Sequence, residues 1–383
     1  MSLPPDIERQ VDGLLTVPTF SMDCGQRQAE LLSVLKGELA YAANRNTALR
    51  RYFAAWPVDY QRAERIADLP YLPVGVFKAN PPLALVDSDE VIRTLTSSAT
   101  TGQTPSRVVL DGATSKRMTR GVTRIVRDFI GPMRRPYLVI DIPQSLGGQS
   151  ELGARGAAIQ GLRSFATECI CCLRKDPDGR LVVDEAKVVE FATKWRRSEA
   201  LVYGFTYVVW QQFVVPLRAK GVHLDMPNVR VLHSGGWKRL QDEAVTPEVF
   251  KRGVASVFGC SESQVVDFYG MVENVGVIYP DCTHGNKHVP AFAEVIVRDP
   301  LTLEAVKVGC QGLVQVCSVL PSSFPGFLVL TEDIAEIVRE DGCPCGRRGT
   351  AFRFIKRVPK SEVRGCGNIG TARKGTPEAA LDV

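Results

Sequence analysis

Between about residue 91 and residue 280, short apolar runs alternate with amphipathic stretches, and this alternation constrains the fold more than any other feature of the chain. The amphipathic stretches, such as residues 115–130, carry apolar residues at helical spacing. Strands that alternate with helices pair in parallel and are covered by helices. We therefore predict an α/β core over residues 91–290. The clearest strand candidates are VIRTLTSS, PYLVIDIP, NVRVLHSGG and QVVDFYG.

The two flanks of this core have different patterns. Residues 1–90 are predicted to form a helical segment packed on the core, because the stretch CGQRQAELLSVLKGELAYAANRNTALRRYFAAW places leucines and aromatics at helical spacing. Short β-runs separated by turns predict a distorted antiparallel β lobe over residues 291–357. Residues 358–383 are expected to be a short C-terminal tail.

Composition excludes several classes of protein. Apolar residues make up 45% and charged residues 23%, which is typical of a globular protein. The net charge of +5 comes from basic residues scattered among acids and gives no indication of nucleic-acid binding. No secretory signal is visible, and no apolar run reaches the roughly 18 residues of a membrane span, so we expect a cytoplasmic protein. Eleven cysteines, an odd number, favour thiols or metal ligands over disulfides.

Gly- and Ser-rich segments follow several of the predicted strands. Ligands of parallel α/β folds bind at the carboxyl ends of the strands. The stretch TSSATTGQTPSR at residues 96–107 is either an ordinary solvent loop or a phosphate cradle, in which hydroxyls and backbone N–H groups surround oxyanions. The other two segments are SGGWK and YGMVEN.

Four motifs in this order resemble those of the adenylate-forming enzymes, which include acyl-CoA synthetases, peptide-synthetase adenylation domains and luciferases. TSSATTGQTPSR resembles their phosphate-binding loop, and HSGGWK (233–238) resembles the glycine turn of their substrate pocket. DFYGMVEN (267–274) resembles the Y-G-x-[TS]-E motif, and LTEDIAEI (330–337) resembles the ribose-binding T-G-D motif. LPVGVFK, CPCGR and VRGCG are similar to the acyl-protein synthetases (LuxE-like) and to phenylacetate–CoA ligases. The resemblance spans about residues 70–370.

The resemblance implies a fold and an activity. The fold is the large N-terminal domain of adenylate-forming enzymes, with layered, mostly parallel sheets, helices and a distorted β lobe. Only 26 residues follow Arg357, so we expect the mobile C-terminal domain to be absent. The activity is a ligase reaction: ATP and Mg²⁺ activate a carboxylic acid as an acyl- or aryl-adenylate, and pyrophosphate is released.

The resemblance also implies roles for individual residues. Tyr269 would stack on adenine, Asp267 would accept from its amino group, Asp333 would bind both ribose hydroxyls and Glu273 would hold Mg²⁺. Arg357 is the candidate hinge arginine, with Arg347 as its rival. The residues implied to bind ATP or AMP are Ser97, Ser98, Thr100, Thr101, Gly102, Thr104, Gly235, Gly236, Asp267, Tyr269, Gly270, Met271 and Asp333. Those implied to be catalytic are Glu273, Thr101, Cys366 and Arg357.

The acid and the acyl acceptor stay open. Aromatic and polar residues near two strand ends are candidates for a substrate pocket, and they fit a fatty acid or an aromatic acid such as a phenazine carboxylate in antibiotic biosynthesis. The acceptor is Cys366, which lies between two glycines after Arg364, or a partner protein, such as a reductase that makes an aldehyde. A homodimer is also left open. The candidate pocket residues are Tyr203, Phe205, His233, Ser234 and Trp237.

Departures from the family pattern motivate a second class of function. The loop has Ala99 where a glycine is usual, and its basic residue, Arg107, is displaced by one position. A non-catalytic, adenylate-binding partner subunit would tolerate both changes.

A second group of cysteines and histidines has metal-ligand spacing. Cys282 and His288 in CTHGNKH, with Cys343 and Cys345 in CPCG, predict a tetrahedral, structural Zn²⁺ site in the β lobe. His284 is an alternative ligand, and reduced cysteines in turns are the alternative to a metal.

Overall fold

The computed structural model describes most of the chain, and its α-helices cover the N-terminal part and flank the central sheet. The described residues are 3–97, 104–146, 151–237 and 243–357. Their α-helices are α1 (Pro5–Leu14), α2 (Cys24–Arg45), α3 (Thr47–Ala54), α4 (Gly112–Ile130), α5 (Ala154–Leu162), α6 (Glu185–Trp195), α7 (Thr206–Val208), α8 (Val215–Ala219) and α9 (Pro247–Phe258). None of these helices is both long and apolar enough to cross a membrane.

The strands form two large sheets and two small ones. Within the described residues they are β1 (Leu72–Pro73), β2 (Arg93–Thr96), β3 (Arg107–Leu110), β4 (Arg135–Val139), β5 (Glu151–Gly153), β6 (Ala166–Cys171), β7 (Leu173–Lys175), β8 (Leu181–Val183), β9 (Ala200–Phe205), β10 (Val229–Ser234), β11 (Val265–Tyr269), β12 (Tyr279–Pro280), β13 (Lys287–His288), β14 (Ala293–Arg298), β15 (Gln311–Ser318), β16 (Leu328–Arg339) and β17 (Ala351–Arg357).

The first large sheet is parallel except at one edge. Its strand order is β12-β11-β10-β9-β4-β6, and only β12 runs antiparallel to its neighbour. Both faces of this sheet are buried, as strand β9 illustrates. Ala200 and Val202 pack in one apolar cluster, whereas Leu201 and Tyr203 pack in another. Successive side chains of a strand point to opposite faces, so a run of apolar residues fills the space under the helices on both sides.

The second large sheet is the antiparallel lobe, in the order β13-β17-β16-β15-β14, with β1 pairing with β16. Its registers shift within β15–β16 and β16–β17, as expected of a distorted sheet. A buried ion pair joins this lobe to the N-terminal helices: Arg27 Nη2 of α2 lies 2.9 Å from Glu294 Oε2 of β14. Thr350 lies in the same buried network.

The three-stranded small sheet carries the base of the loop that resembles a phosphate-binding loop. Its order is β3-β2-β5, and β2 pairs with β3 in antiparallel register, with Thr96 opposite Arg107. The described part of TSSATTGQTPSR therefore forms the two legs of a hairpin. The architecture as a whole is α/β: one mostly parallel sheet flanked by helices, two small sheets, and an antiparallel β lobe.

Candidate functional site

The carboxyl ends of three neighbouring parallel strands lie side by side. Ser234 at the end of β10 is in register with Phe205 of β9 and with Phe268 of β11. Segments of the glycine-turn motif and the Y-G motif therefore leave the sheet at the same edge, which is where parallel α/β folds place their ligands.

One cluster at this edge joins β11 to the antiparallel lobe through the Asp333 carboxylate. Tyr269 Oη donates a hydrogen bond to Asp333 Oδ2 at 2.8 Å, and Arg357 Nε donates to Asp333 Oδ1 at 2.9 Å. Asp333 and Arg357 are cross-strand partners in β16 and β17. The Asp333 side chain is buried, whereas that of Arg357 is 72% exposed. The sheet register thus brings together three residues that lie up to 88 positions apart in sequence.

The charges in this cluster support one another. The nearby Asp333 carboxylate raises the pKa of Arg357, and burial together with Asp333 raises the pKa of the Tyr269 phenol well above its ordinary value. Tyr269 is therefore protonated at neutral pH and can only donate to the carboxylate. The arrangement leaves the Asp333 carboxylate buried and fixed in orientation by two hydrogen bonds.

Three aromatic residues that the sequence analysis did not single out contact Tyr269, and one of them, Phe352, lies edge-on with ring centroids 6.2 Å apart. The Phe354 ring is stacked at 5.5 Å between ring centroids, and the Tyr279 ring is stacked at 5.9 Å. Tyr279 lies opposite Tyr269 in the β11–β12 register. Only the Phe354 ring is partly exposed, because Tyr279 and Phe352 are fully buried, so an adenine ring at Tyr269 could contact Phe354 but not the other two. The sequence signal for Phe354 was only its place in the predicted strand FRFIKRV.

Glu273 lies beside the base of the hydroxyl-rich loop. The two legs of this loop are closed by hydrogen bonds between Ser97 and Ser106: the Ser97 N–H donates to the Ser106 carbonyl at 2.9 Å, and the Ser106 N–H donates to Ser97 Oγ at 2.8 Å. Burial raises the pKa of Glu273, and a hydrogen bond with the Ser106 side chain partly offsets the effect. Ser106, at the position where the motif resemblance predicts a basic residue, thus contacts the predicted magnesium ligand.

Asp267 is held by a buried lysine. Lys287 Nζ of β13 lies 2.7 Å from Asp267 Oδ2 and 3.0 Å from Asp281 Oδ1. Burial alone would raise the pKa of Asp267, but Lys287 and then His233 outweigh it, and the pKa is lowered. Burial alone would also lower the pKa of Lys287, but the two carboxylates outweigh it and raise the pKa. Asp267 is therefore an anion with a fixed neighbour, and no sequence motif pointed to Lys287.

His233 is a neutral side chain at neutral pH. Burial lowers its pKa to about 4, although Asp267 and Asp281 act in the opposite direction. Its Nδ1 atom lies 3.0 Å from Thr206 Oγ1, and its ring packs 4.4 Å from that of Phe250. Among the described residues, its Nε2 atom has no hydrogen-bond partner.

The five residues predicted to line a substrate pocket do not all come together. Tyr203 is fully buried and its hydroxyl lies 2.9 Å from Ser234 Oγ, so this pair is part of the packing of one sheet face. His233 points to the opposite face, because it precedes Ser234 in the same strand. Trp237 packs against the apolar cluster on that second face. Phe205 packs against the glycine turn itself.

Gly235 shows why the turn requires glycine. Its φ is +81°, and a Cβ atom there would lie 2.6 Å from the Phe205 ring. Both the backbone conformation and the space exclude a side chain. Gly236, by contrast, has open space around it, and Gly270 would only bring a Cβ to 3.2 Å from Ile278.

Of the remaining predicted site residues, some lie within the described part of the chain and others lie outside it. Thr104 is described and exposed, and Met271 lies 3.8 Å from Tyr269 Oη through its sulfur. Arg347, the rival to Arg357, pairs with Asp128 and stacks on Phe129, so it belongs to a different part of the molecule. The predicted residues outside the description are Ser98, Thr100, Thr101, Gly102 and Cys366.

The four predicted zinc ligands come together in space. The ligand atoms of Cys282, His288, Cys343 and Cys345 all lie within 4.8 Å of one another, and the first three residues are buried. The alternative ligand, His284, is exposed and lies outside this group.

A family model and two relatives of known name match the sequence of this chain. A sequence model of the family described as "Acyl-protein synthetase, LuxE" matches residues 15–372. The long-chain-fatty-acid–luciferin-component ligase of Vibrio harveyi is 24% identical over 361 residues, which cover 93% of this chain and 92% of the relative. The protein of the same name from Aliivibrio fischeri is 28% identical over 139 residues, which cover 36% of each chain.

The fold is similar to that of adenylate-forming CoA ligases. The crystal structure of an open conformation of 2-hydroxyisobutyryl-CoA ligase with 2-HIB-AMP and CoA matches with a TM-score of 0.67 and 17% identity, and covers 88% of this chain and 76% of the other. The same ligase in its thioesterification state also matches with a TM-score of 0.67 and 17% identity, covering 89% and 70%. At 17% sequence identity, this structural similarity establishes the fold alone.

Proposed function

The chain belongs to the acyl-protein synthetase (LuxE) family, a family of ligases, and from that premise we propose that it uses ATP to activate a carboxylic acid as an acyl-adenylate. A carboxylate oxygen attacks the α-phosphorus of ATP, the bond between the α- and β-phosphates breaks, and pyrophosphate leaves. The observation that carries the proposal is the buried Asp333 carboxylate held by Tyr269 and Arg357, next to the loop base at Glu273.

Asp333 is suited to hold the ribose of ATP. An ionised carboxylate accepts about four hydrogen bonds, and Tyr269 and Arg357 supply one to each oxygen. Two acceptor positions remain for the two ribose hydroxyls. The exposed Arg357 side chain has room to move when the nucleotide enters.

Tyr269 and Asp267 are suited to bind the adenine base. Tyr269 offers an aromatic ring, on which the partly exposed Phe354 ring stacks. Asp267 is an anion because of Lys287, so it can accept from the adenine amino group. A guanine base carries a carbonyl oxygen in place of that amino group, and this oxygen would face the carboxylate unfavourably.

Glu273 is the residue that would hold Mg²⁺, which neutralises phosphate charge in such reactions. A carboxylate oxygen is a hard ligand of the kind Mg²⁺ prefers. The buried Glu273 carboxyl has a raised pKa, which means that its negative charge lacks sufficient compensation from the protein alone. A divalent cation would supply that compensation. The hydroxyls of Ser97, Thr104 and the loop residues between them would position the triphosphate.

We propose a long-chain fatty acid as the first substrate class to test, because the Vibrio harveyi relative is named for one and is matched along nearly its whole length. The acyl group would then pass to a thiol. The sulfur of Cys366 or of a partner protein attacks the acyl carbonyl, a thioester bond forms, and AMP leaves. A partner reductase would consume such a thioester to give an aldehyde.

Carboxylate-dependent exchange between ATP and labelled pyrophosphate tests the adenylation step. We expect exchange with one class among fatty and aromatic acids, including a phenazine carboxylate, and at least a 100-fold loss in Glu273→Ala and Asp333→Ala. Exchange with an aromatic acid only would place the enzyme in aromatic-acid activation of the kind used in antibiotic biosynthesis. ATP or AMP binding without exchange by any acid would refute the catalytic proposal and favour an adenylate-binding subunit.

A further inference from the structure

Three cysteines and a histidine converge in the antiparallel lobe, and the proposed adenylation does not use them. Cys282 and His288 come from the connection that includes β12 and β13, and Cys343 and Cys345 come from the loop between β16 and β17. Their four ligand atoms lie within 4.8 Å of one another. Two segments about 60 residues apart in sequence thus meet through side chains that all offer soft metal ligands.

The distances fit a tetrahedral metal ion. Cys282 Sγ lies 4.0 Å from Cys343 Sγ, and Cys345 Sγ lies 3.3 Å from His288 Nε2. Bond lengths of about 2.3 Å to sulfur and about 2.0 Å to nitrogen place tetrahedral ligand atoms roughly 3.5–3.8 Å apart. The two measured distances bracket that range, so small side-chain adjustments would complete the geometry.

The main alternatives fit less well. A disulfide holds its sulfurs about 2.05 Å apart, and the Cys282 and Cys343 sulfurs are not bonded. Separate buried thiols have no reason to converge with an imidazole from another strand. We propose that Cys282, His288, Cys343 and Cys345 bind one Zn²⁺ ion as a structural site.

Neighbouring groups support the sulfurs as ligands. The His284 N–H donates to Cys282 Sγ at 3.4 Å, and Asn286 Nδ2 donates to Cys343 Sγ at 3.8 Å. Such donors disperse the negative charge of metal-bound thiolates. The His288 ring is oriented by edge-to-face packing on Phe20, with centroids 6.1 Å apart. Its Nε2 atom thereby faces Cys345.

The site is structural because protein side chains fill all four positions and leave none for a reacting water. It also lies at the opposite end of β17 from Arg357. The strand β17 begins beside His288, which pairs with Ala351, and ends at Arg357, six residues later. An extended strand of that length spans about 20 Å.

The ion would nevertheless stabilise the short strand β13, which contacts the candidate nucleotide site. Lys287, which holds Asp267, precedes the ligand His288 in the same short strand. A two-residue strand has few hydrogen bonds of its own, so a metal ligand within it would contribute much of its order. The metal site thus goes beyond the proposed adenylation and can be tested without it.

Metal content of the full-length protein is the direct test. We expect about one zinc per chain by elemental analysis after expression with zinc and extensive dialysis, and at least a five-fold loss in Cys343→Ser and Cys345→Ser. Cys310→Ser is the matched control, since Cys310 is an exposed cysteine of the same lobe outside the group, and its zinc content should equal that of wild type.

A second measurement covers the case in which the variants do not fold. Wild-type protein refolded with Co²⁺ should show the intense visible absorption of a tetrahedral thiolate site, and zinc should displace it. Wild-type protein with less than about 0.1 zinc per chain and no Co²⁺ absorption would overturn the proposal, as would full zinc content in soluble Cys343→Ser. These readouts do not involve ATP, so a failure of adenylation would not be mistaken for a failure of the metal site.

Discussion

The substitution Asp333→Asn tests the assignment of the ribose site. In the structure each Asp333 oxygen accepts one hydrogen bond, from Tyr269 Oη at 2.8 Å and from Arg357 Nε at 2.9 Å. An asparagine keeps the shape but has one acceptor oxygen and one NH₂ donor. With two donors already present, the variant cannot accept from both of them and from both ribose hydroxyls.

The expected loss follows from this accounting. At least one charge-assisted hydrogen bond to a ribose hydroxyl disappears, which is worth about 1.5–3 kcal/mol. Since 1.4 kcal/mol corresponds to a factor of ten, we expect kcat/KM for ATP in pyrophosphate exchange to fall roughly 10- to 150-fold. The loss should depend on the ribose hydroxyls, so 2′,3′-dideoxy-ATP is the informative second substrate.

The assay compares ATP with 2′,3′-dideoxy-ATP in wild type and Asp333→Asn. Wild type should prefer ATP strongly, and the variant should lose most of that preference. Glu332→Gln is the matched control, because the neighbouring side chain points to the other face of β16 and should leave the preference unchanged. If Asp333→Asn lowers both rates equally and keeps the preference, Asp333 acts only through Tyr269 and Arg357, and the ribose assignment is refuted.

Three further predictions concern buried charges. Because burial raises the pKa of Glu273 above 4.5, the rate of pyrophosphate exchange should fall at acidic pH as Glu273 becomes protonated. A higher Mg²⁺ concentration should shift this fall in rate to lower pH. A fall in rate whose pH does not depend on Mg²⁺ would contradict the role of Glu273 as a metal ligand. Glu38 is fully buried, its carboxyl oxygens have no partner among the described residues, and burial raises its pKa well above 4.5. The free energy of unfolding of the wild type should therefore decline as the pH rises above about 4.5. Urea unfolding of Glu38→Gln should not show this decline. The same pH dependence in both proteins would contradict the burial of Glu38. Arg27→Met leaves Glu294 buried and unpaired, and should lower the free energy of unfolding by about 3–5 kcal/mol in denaturant titrations, whereas a change below about 1 kcal/mol would contradict a buried pair.

The sequence predicted much of the fold because apolar periodicity reports burial directly. The run PYLVIDIP overlaps most of β4, QVVDFYG contains β11, and the helix predicted at residues 115–130 is most of α4. The order of strands in the sheet was not predicted, because β4 lies between β9 and β6 through contacts that no local pattern records. The segment VGVFK forms a helical turn at residues 74–78, directly after Pro73.

For the candidate site, too, the sequence predicted some residues and only the structure revealed others. Motifs pointed to Tyr269, Asp333 and Arg357, whose direct contact is found in the structure, and the cysteine spacing pointed to the four residues that converge. Lys287 and Phe354 carry no motif, and they became visible only through the register of β13, β16 and β17. The substrate pocket stays a prediction; the structure adds that Ser234 and His233, which are adjacent in β10, face opposite sides of the sheet.

By itself the sequence determined the fold class, the order of the motifs and the residue types that suit a polyanionic substrate, because these follow from local chemistry and periodicity. Only the tertiary structure decided which groups share one site and with what charge. The ionised state of Asp267 depends on Lys287, 20 positions away, and the raised pKa of Glu273 depends on its burial. Burial and pairing energies arise from neighbours in space, and a linear sequence does not specify those distances.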